Sequence, residues 1–367
     1  MRNKILIDLS FIRSKPYSGV AKYAYRIIDY IIQSGRCDRY ALLLDIISEA
    51  EIKNRYPQFE TKTIGNRLIT KIPLVRTFWL QFSFKHFVNA SEYDVVFCPW
   101  ANQITCLKSK KIIISVIHDL QSLIDWKGFA LYRDKCIYKA IIRNSRKIVT
   151  ISEFSKRQIL SFFPKADVVN LSNSVSMDIT DIPSSVYPQP YILYVGRICK
   201  MKNIITLIRA FKTVSHENNS IKLVVVGQKN DYWREEIVPV LKGNDLEEKV
   251  EVLEGVSEKQ LSALYRDAEL FVFPSLREGF GFPPVEASLM ETPVVSSKAD
   301  SLEEVSLGLW YTYDNPNDYN ELAKNIISVL QNPPSKDRLT YIKNEMLNHY
   351  TPSTVCKNIC NYIESVS

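Results

Sequence analysis

The stretch Arg277 to Val295, REGFGFPPVEASLMETPVV, sets two carboxylates, Glu278 and Glu286, on either side of two glycines, two phenylalanines and a proline pair. Gly279 and Gly281 permit backbone conformations and close approaches that other residues resist. Pro283 and Pro284 suit the first turn of a helix, where a missing N–H costs little, so PVEASLME is expected to begin a helix with Glu286 in its first turn. Such a terminus offers free N–H groups and a positive dipole end, which can hold a phosphate. The two acids would then bracket the anion and accept hydrogen bonds from hydroxyls at either end of a sugar nucleotide. A plainer reading stands beside this one: an acid near a helix start interacts with the dipole, worth about 0.3–1 kcal/mol, with no ligand involved.

A pair placed this way needs a strand ahead of it, and ELFVFPS, Glu269 to Ser275, is an apolar run of strand length. The alternation of strand and helix extends along the chain. KILIDLS, Lys4 to Ser10, reads as a buried strand, and Val20, Tyr23, Ala24, Ile27, Ile28 and Ile31 recur on one helical face after the turn SKPYSG. The strands YALLLD, DVVFCP, KIIISVI, KIVTIS and DVVNLS follow, with helical patterns near 128–144 and 153–163. Near-continuous Val and Ile runs are what parallel strands covered on both faces require. MDITDIPSSVYPQP, Met177 to Pro190, breaks the pattern as a linker would, and YILYVG, KLVVVG, KVEVLEG and LFVFPS supply a second series. The expected fold class is α/β, two doubly wound Rossmann-like domains facing across a cleft. The expected boundaries are residues 1–180, a linker at 181–190, a second domain at 191–345, and a C-terminal helical segment at 346–367 able to cross back to the first domain.

Composition agrees with a folded chain: 367 residues, 46% hydrophobic and 24% charged, enough for two cores. The longest apolar stretches are of strand length, and MRNKILIDLS enters a strand directly without a cleavable hydrophobic region, so a cytoplasmic location is expected. Seven cysteines are scattered singly, which reads as reduced core thiols and not as a zinc site or a disulfide framework. The net charge of +7 is uneven: residues 1–187 carry +12 and residues 188–367 carry −5. A basic half attracts anionic lipid or phosphorylated substrates, while no recognised motif accompanies it that would suggest nucleic acid. No G-x-G-x-x-G follows a strand and no G-x-x-x-x-G-K occurs, which disfavours Rossmann oxidoreductase and P-loop chemistry.

Glu278-x7-Glu286, with EGFG, then P-x-x-E-A, then TPVV, resembles the signature of family 4 retaining glycosyltransferases, whose fold is GT-B. YVGRICKMKN resembles that family's strand-end Gly-Arg with a following Lys, implying that Arg197 and Lys202 hold the donor diphosphate and stabilise charge that grows as the glycosidic bond breaks. SGVAKY resembles its turn into the first helix, placing Gly19 near the diphosphate, and VIHDL its strand-end His-Asp, placing His118 beside the reacting sugar. Backbone N–H groups around Phe280 to Phe282, with Gly279 and Gly281, would also touch the donor. The chain departs from the family pattern at Ser18, where a second glycine is usual, and at Met290 and Glu291 before Thr-Pro.

The resemblance implies transfer with retained anomeric configuration: Glu278 binds the sugar's C3 and C4 hydroxyls, Glu286 the ribose hydroxyls, and the leaving phosphate takes the acceptor's proton. No Asp-x-Asp occurs, so neither cofactor nor metal is expected. The donor expected is a nucleotide sugar, with GDP-mannose favoured over UDP- and dTDP-hexoses, and the acceptor a lipid-linked glycan of surface polysaccharide, O-antigen or capsule. The acceptor should meet the basic first domain, where Lys71, Arg76 and Lys85 mix with Phe78, Trp79, Phe82 and Phe84, either as a peripheral membrane contact or as a buried helix. A sugar-nucleotide epimerase of the same architecture and an inactive nucleotide-binding relative are the alternatives.

Overall fold

A computed structural model describes residues 4–12, 19–66, 73–105, 107–125, 127–177 and 180–366. The chain forms two compact units, Met1–Ser174 with Pro352–Ser367, and Val175–Thr351.

Among the described residues, the first unit is built on seven strands: β1 (Ile5–Asp8), β2 (Tyr40–Asp45), β3 (Glu60–Ile64), β4 (Val95–Cys98), β5 (Ile112–Val116), β6 (Lys147–Thr150) and β7 (Val168–Asn170). All pair in parallel, in the order β3-β2-β1-β4-β5-β6-β7. β1, β2 and β4 are buried at every position, as strands covered on both faces must be, and this is why their sequences are nearly unbroken apolar runs. β3, ETKTI, lies at the sheet edge and is only partly buried. The helix Gly19–Gln33 buries Tyr23, Ala24, Ile27, Ile28 and Ile31. Against it packs the helix Pro352–Val366, burying Val355, Cys356, Ile359, Cys360 and Ile363. Glu364 ties this helix down, accepting from Tyr40 Oη at 2.7 Å and pairing with Arg36 and Arg39.

The second unit has, among the described residues, six parallel strands: β8 (Tyr191–Val195), β9 (Lys222–Val226), β10 (Val250–Leu253), β11 (Leu270–Phe273), β12 (Val294–Ser297) and β13 (Tyr311–Tyr313). Their order is β10-β9-β8-β11-β12-β13. The direction of winding reverses between β8 and β11, and the carboxyl ends of the strands at such a reversal are the usual ligand position in open parallel sheets.

The helix Pro73–Ala90 buries Leu80, Phe84 and Val88 but leaves Phe78, Trp79 and Phe82 exposed, so it is neither wholly buried nor wholly free. Lys71 and the side chain of Arg76 lie outside the described residues. Cys98, Cys356 and Cys360 are buried, as core thiols should be, whereas Cys136 is exposed. Among the described residues, no helix is long and apolar enough to cross a membrane.

Candidate functional site

β11 lies between β8 and β12, so the loop that follows it is flanked by the loops after both neighbours. Each neighbour holds it. Leu276 N–H donates to the Met201 carbonyl of the β8 side at 2.9 Å, and Ser297 Oγ of β12 donates to the Ser275 carbonyl at 2.6 Å. Glu278, only 8% exposed, follows directly. Its carboxylate pairs with Lys202 Nζ, from the β8 side, whose ammonium also sits 5.5 Å from the centre of the Phe273 ring. The two ends of the switch point are thus joined by one ion pair. Lys202 closes the short 3-10 turn Lys200–Lys202, and Asn203 after it takes a left-handed backbone, φ 56°. Asn203 Nδ2 fixes that corner by donating to the Pro274 and Pro316 carbonyls at 3.2 and 2.7 Å. Arg197 is exposed in the same loop.

The helix after Glu278 runs Phe282–Leu289, which starts two residues earlier than PVEASLME suggests and puts Glu286 beyond its first turn. Pro283 and Pro284 carry no N–H, so of the first four positions of this helix only Phe282 and Val285 have an amide to donate. Gly281 caps it at φ 96°, where any other residue would be strained, and a Cβ there would meet Leu302 Cδ2 at 2.5 Å and push that side chain aside. Phe280 is buried against Phe282 and, edge to face at 5.3 Å, against Tyr350; its side chain anchors the turn and leaves only its backbone for a ligand.

Glu286 accepts a 3.0 Å hydrogen bond from the hydroxyl of Tyr265, a fully buried residue on the helix Glu258–Asp267. Burial, and then the Glu286 charge, raise the Tyr265 pKa well above the ordinary phenol value, so the phenol stays a donor. Sequence reasoning missed Tyr265 because a tyrosine at core spacing reads as packing. It also missed Asp300 and Ser301, which follow β12: Asp300 Oδ2 accepts from Glu278 N–H at 3.2 Å, and Ser301 Oγ donates to the Glu278 carbonyl at 2.9 Å. The polar cluster KADS after a Val-Val run was the available signal.

Gly19 and His118 belong to the first unit. Gly19 is the exposed first residue of its helix, and Ser18 before it lies outside the described residues. Four residues on, Tyr23 packs edge-on against the His118 ring at 5.0 Å. His118 Nε2 is 3.0 Å from the Pro99 carbonyl oxygen, which requires the proton on Nε2, and burial pushes its pKa below the ordinary value, favouring the neutral ring. The ring lines a cavity of about 70 Å³ with Trp100, Asp119 and Tyr138. At the carboxyl end of β1, Asp8 is fully buried; Ser10 N–H and Oγ donate to its Oδ1 at 2.9 and 2.6 Å, while Oδ2 finds no partner among the described residues. Burial raises its pKa to about 6.

Two parallel Rossmann-like sheets in one chain are the architecture of the GT-B class. Solved structures of that fold superimpose on the whole chain: sucrose-phosphate synthase from Thermosynechococcus elongatus, at TM-score 0.77 and 16% identity, covers 100% of this chain and 99% of its own. The Anabaena protein HepE in complex with UDP follows at TM-score 0.72 and 16% identity, covering 99% and 100%. Within the chain, residues 180–346, which fall inside the second unit, match the family of Glycosyl transferases group 1. The O-antigen chain mannosyltransferase B of Escherichia coli is 29% identical over 214 residues, 54% of this chain and 55% of that protein. The chain therefore spans about half the length of the curated relative it matches.

Proposed function

We propose that this protein is a retaining glycosyltransferase. It moves a hexose, with mannose from GDP-mannose favoured, from a nucleotide sugar to a lipid-linked glycan acceptor in surface polysaccharide assembly. The observation that carries the reading is the Lys202–Glu278 pair at the β8/β11 switch point. With a donor bound, Lys202 exchanges its carboxylate partner for the diphosphate, and Arg197 from the same loop adds a second cation. Charge building on the leaving phosphate is then stabilised where it forms. Glu278, released, accepts from the sugar's C3 and C4 hydroxyls and offsets positive charge developing on the ring. Glu286, oriented by Tyr265, accepts from the ribose hydroxyls. The amides of Gly279, Phe280, Gly281 and Phe282 line the turn beside the diphosphate. The roles expected of Gly19 and His118 rest on the sequence resemblance alone.

The name of the E. coli relative supports mannose as the sugar, and the UDP held by HepE supports a nucleotide at this fold. With cations in the phosphate role, turnover should survive EDTA; loss in EDTA that manganese restores would contradict this. The decisive experiment compares Glu278→Ala with the wild type across GDP-mannose, UDP-glucose and dTDP-glucose. Transfer should fall by about a hundredfold or more, in line with loss of a charge-stabilising group, and full activity in the variant would refute the reading.

A further inference from the structure

Glu278 has no helix or strand on either side to hold its backbone, yet one turn engages both hydrogen-bonding groups of its main chain. The N–H goes to Asp300 and the carbonyl to Ser301, which is fully buried. Asp300 does this from a left-handed backbone, φ 53°. A glycine would occupy that conformation without steric cost. The position instead keeps a carboxylate, and that carboxylate makes a bond no glycine could make. A carboxylate carried on a left-handed backbone with its oxygen on the Glu278 N–H points to a role in holding Glu278.

We propose that Asp300 is a positioning residue for Glu278: through the Glu278 N–H it sets the direction from which the Glu278 carboxylate meets the donor sugar. What Glu278 meets rests on the function proposed above; the clamp itself does not. Lys202 restrains the carboxylate only until a diphosphate claims the ammonium, whereas Asp300 and Ser301 hold the backbone before and after that exchange. The loop's order in the donor complex therefore depends on the turn after β12.

The test uses the full chain with Asp300→Gly and Asp300→Asn. Glycine removes the acceptor and relaxes the backbone; asparagine keeps an acceptor oxygen and tolerates the left-handed conformation. Amide exchange is followed across Leu276 to Phe282 in the free protein. Nucleoside diphosphate release from GDP-mannose, UDP-glucose and dTDP-glucose is followed with water as the acceptor. Asp300→Gly should speed exchange at Glu278 about tenfold and lower kcat about tenfold, the scale of one charge-assisted hydrogen bond, with donor KM little changed and Tm unchanged or higher. Asp300→Asn should restore both exchange and kcat. The proposal is overturned if Asp300→Gly leaves exchange at the wild-type rate, if exchange quickens while kcat stays at wild type, or if Asp300→Gly lowers Tm and Asp300→Asn does not recover it. Should the wild type turn over none of the three donors, the glycosyl-transfer reading fails, and the exchange comparison still decides whether Asp300 holds Glu278.

Discussion

The hydroxyl of Tyr265 donates to the carboxylate of Glu286 at 3.0 Å from inside the protein, so the second acid of the pair is oriented from behind. A buried neutral donor to a carboxylate contributes about 1.5–3 kcal/mol. Tyr265→Phe keeps the ring and removes that bond. GDP and UDP should bind about tenfold more weakly, with kcat less affected than donor KM, because Glu286 is assigned to the nucleoside and not to the reacting sugar. Titration calorimetry with both nucleotides, set beside steady-state kinetics, checks this.

The Lys202–Glu278 pair predicts an asymmetry. Glu278 has 9% of its side chain exposed and Lys202 21%, so removing the cation strands a carboxylate with little access to water, whereas removing the acid leaves an ammonium that can still reach it. Lys202→Met should cost about 1–3 kcal/mol of stability, below the range for fully enclosed pairs. Glu278→Gln should cost less, and the double variant should recover much of the Lys202→Met loss. Urea unfolding of the three variants reads the cycle, and all three should be inactive in transfer.

Asp8 predicts a pH dependence of stability. Burial lifts its pKa from 3.8 to about 6, so between those values the folded chain binds more protons than the unfolded one. Its contribution to stability is complete below about pH 4, declines as pH rises through 6, and is lost above. At pH 8 the ionised group costs up to about 3 kcal/mol. Asp8→Asn, which keeps the oxygen that accepts from Ser10, should raise Tm at pH 8 and leave it nearly unchanged at pH 4. Calorimetric scans at the two pH values test the sign.

Phe78 and Phe82 are 73% and 62% exposed on the helix whose Leu80, Phe84 and Val88 fill the core. If this face meets a membrane carrying the acceptor, Phe78→Ser with Phe82→Ser should weaken flotation with anionic vesicles about tenfold or more, given roughly 1.5–3 kcal/mol for burying each ring. Tm should not change. No vesicle binding by the wild type at low salt removes the membrane contact expected from the basic, aromatic sequence of this helix.

Strands such as β2 were legible from sequence because burial on both faces writes an unbroken apolar run. β3 was not, since its edge position leaves ETKTI polar, and β13 is only three residues long. Glu278 and Lys202 could each be singled out by residue type and motif. Their mutual pairing could not, because 76 residues separate them and only the order β8-β11 brings their loops together. Asp300 carries no pattern of its own; its significance lies in a main-chain partner 22 residues away. The start of the helix at Phe282 follows from the left-handed backbone of Gly281 that caps it, which the proline pair alone does not reveal.

The helix Pro352–Val366 completes a unit whose other residues lie before position 175. During synthesis the early sheet must wait, with the apolar face of Gly19–Gln33 uncovered, until more than 170 intervening residues have emerged and folded. A chain interrupted just short of Pro352 would carry a finished second unit and a sticky, unfinished first one, so solubility in the cell should hinge on the segment Pro352–Val366 far more than its distance from any chemistry would suggest.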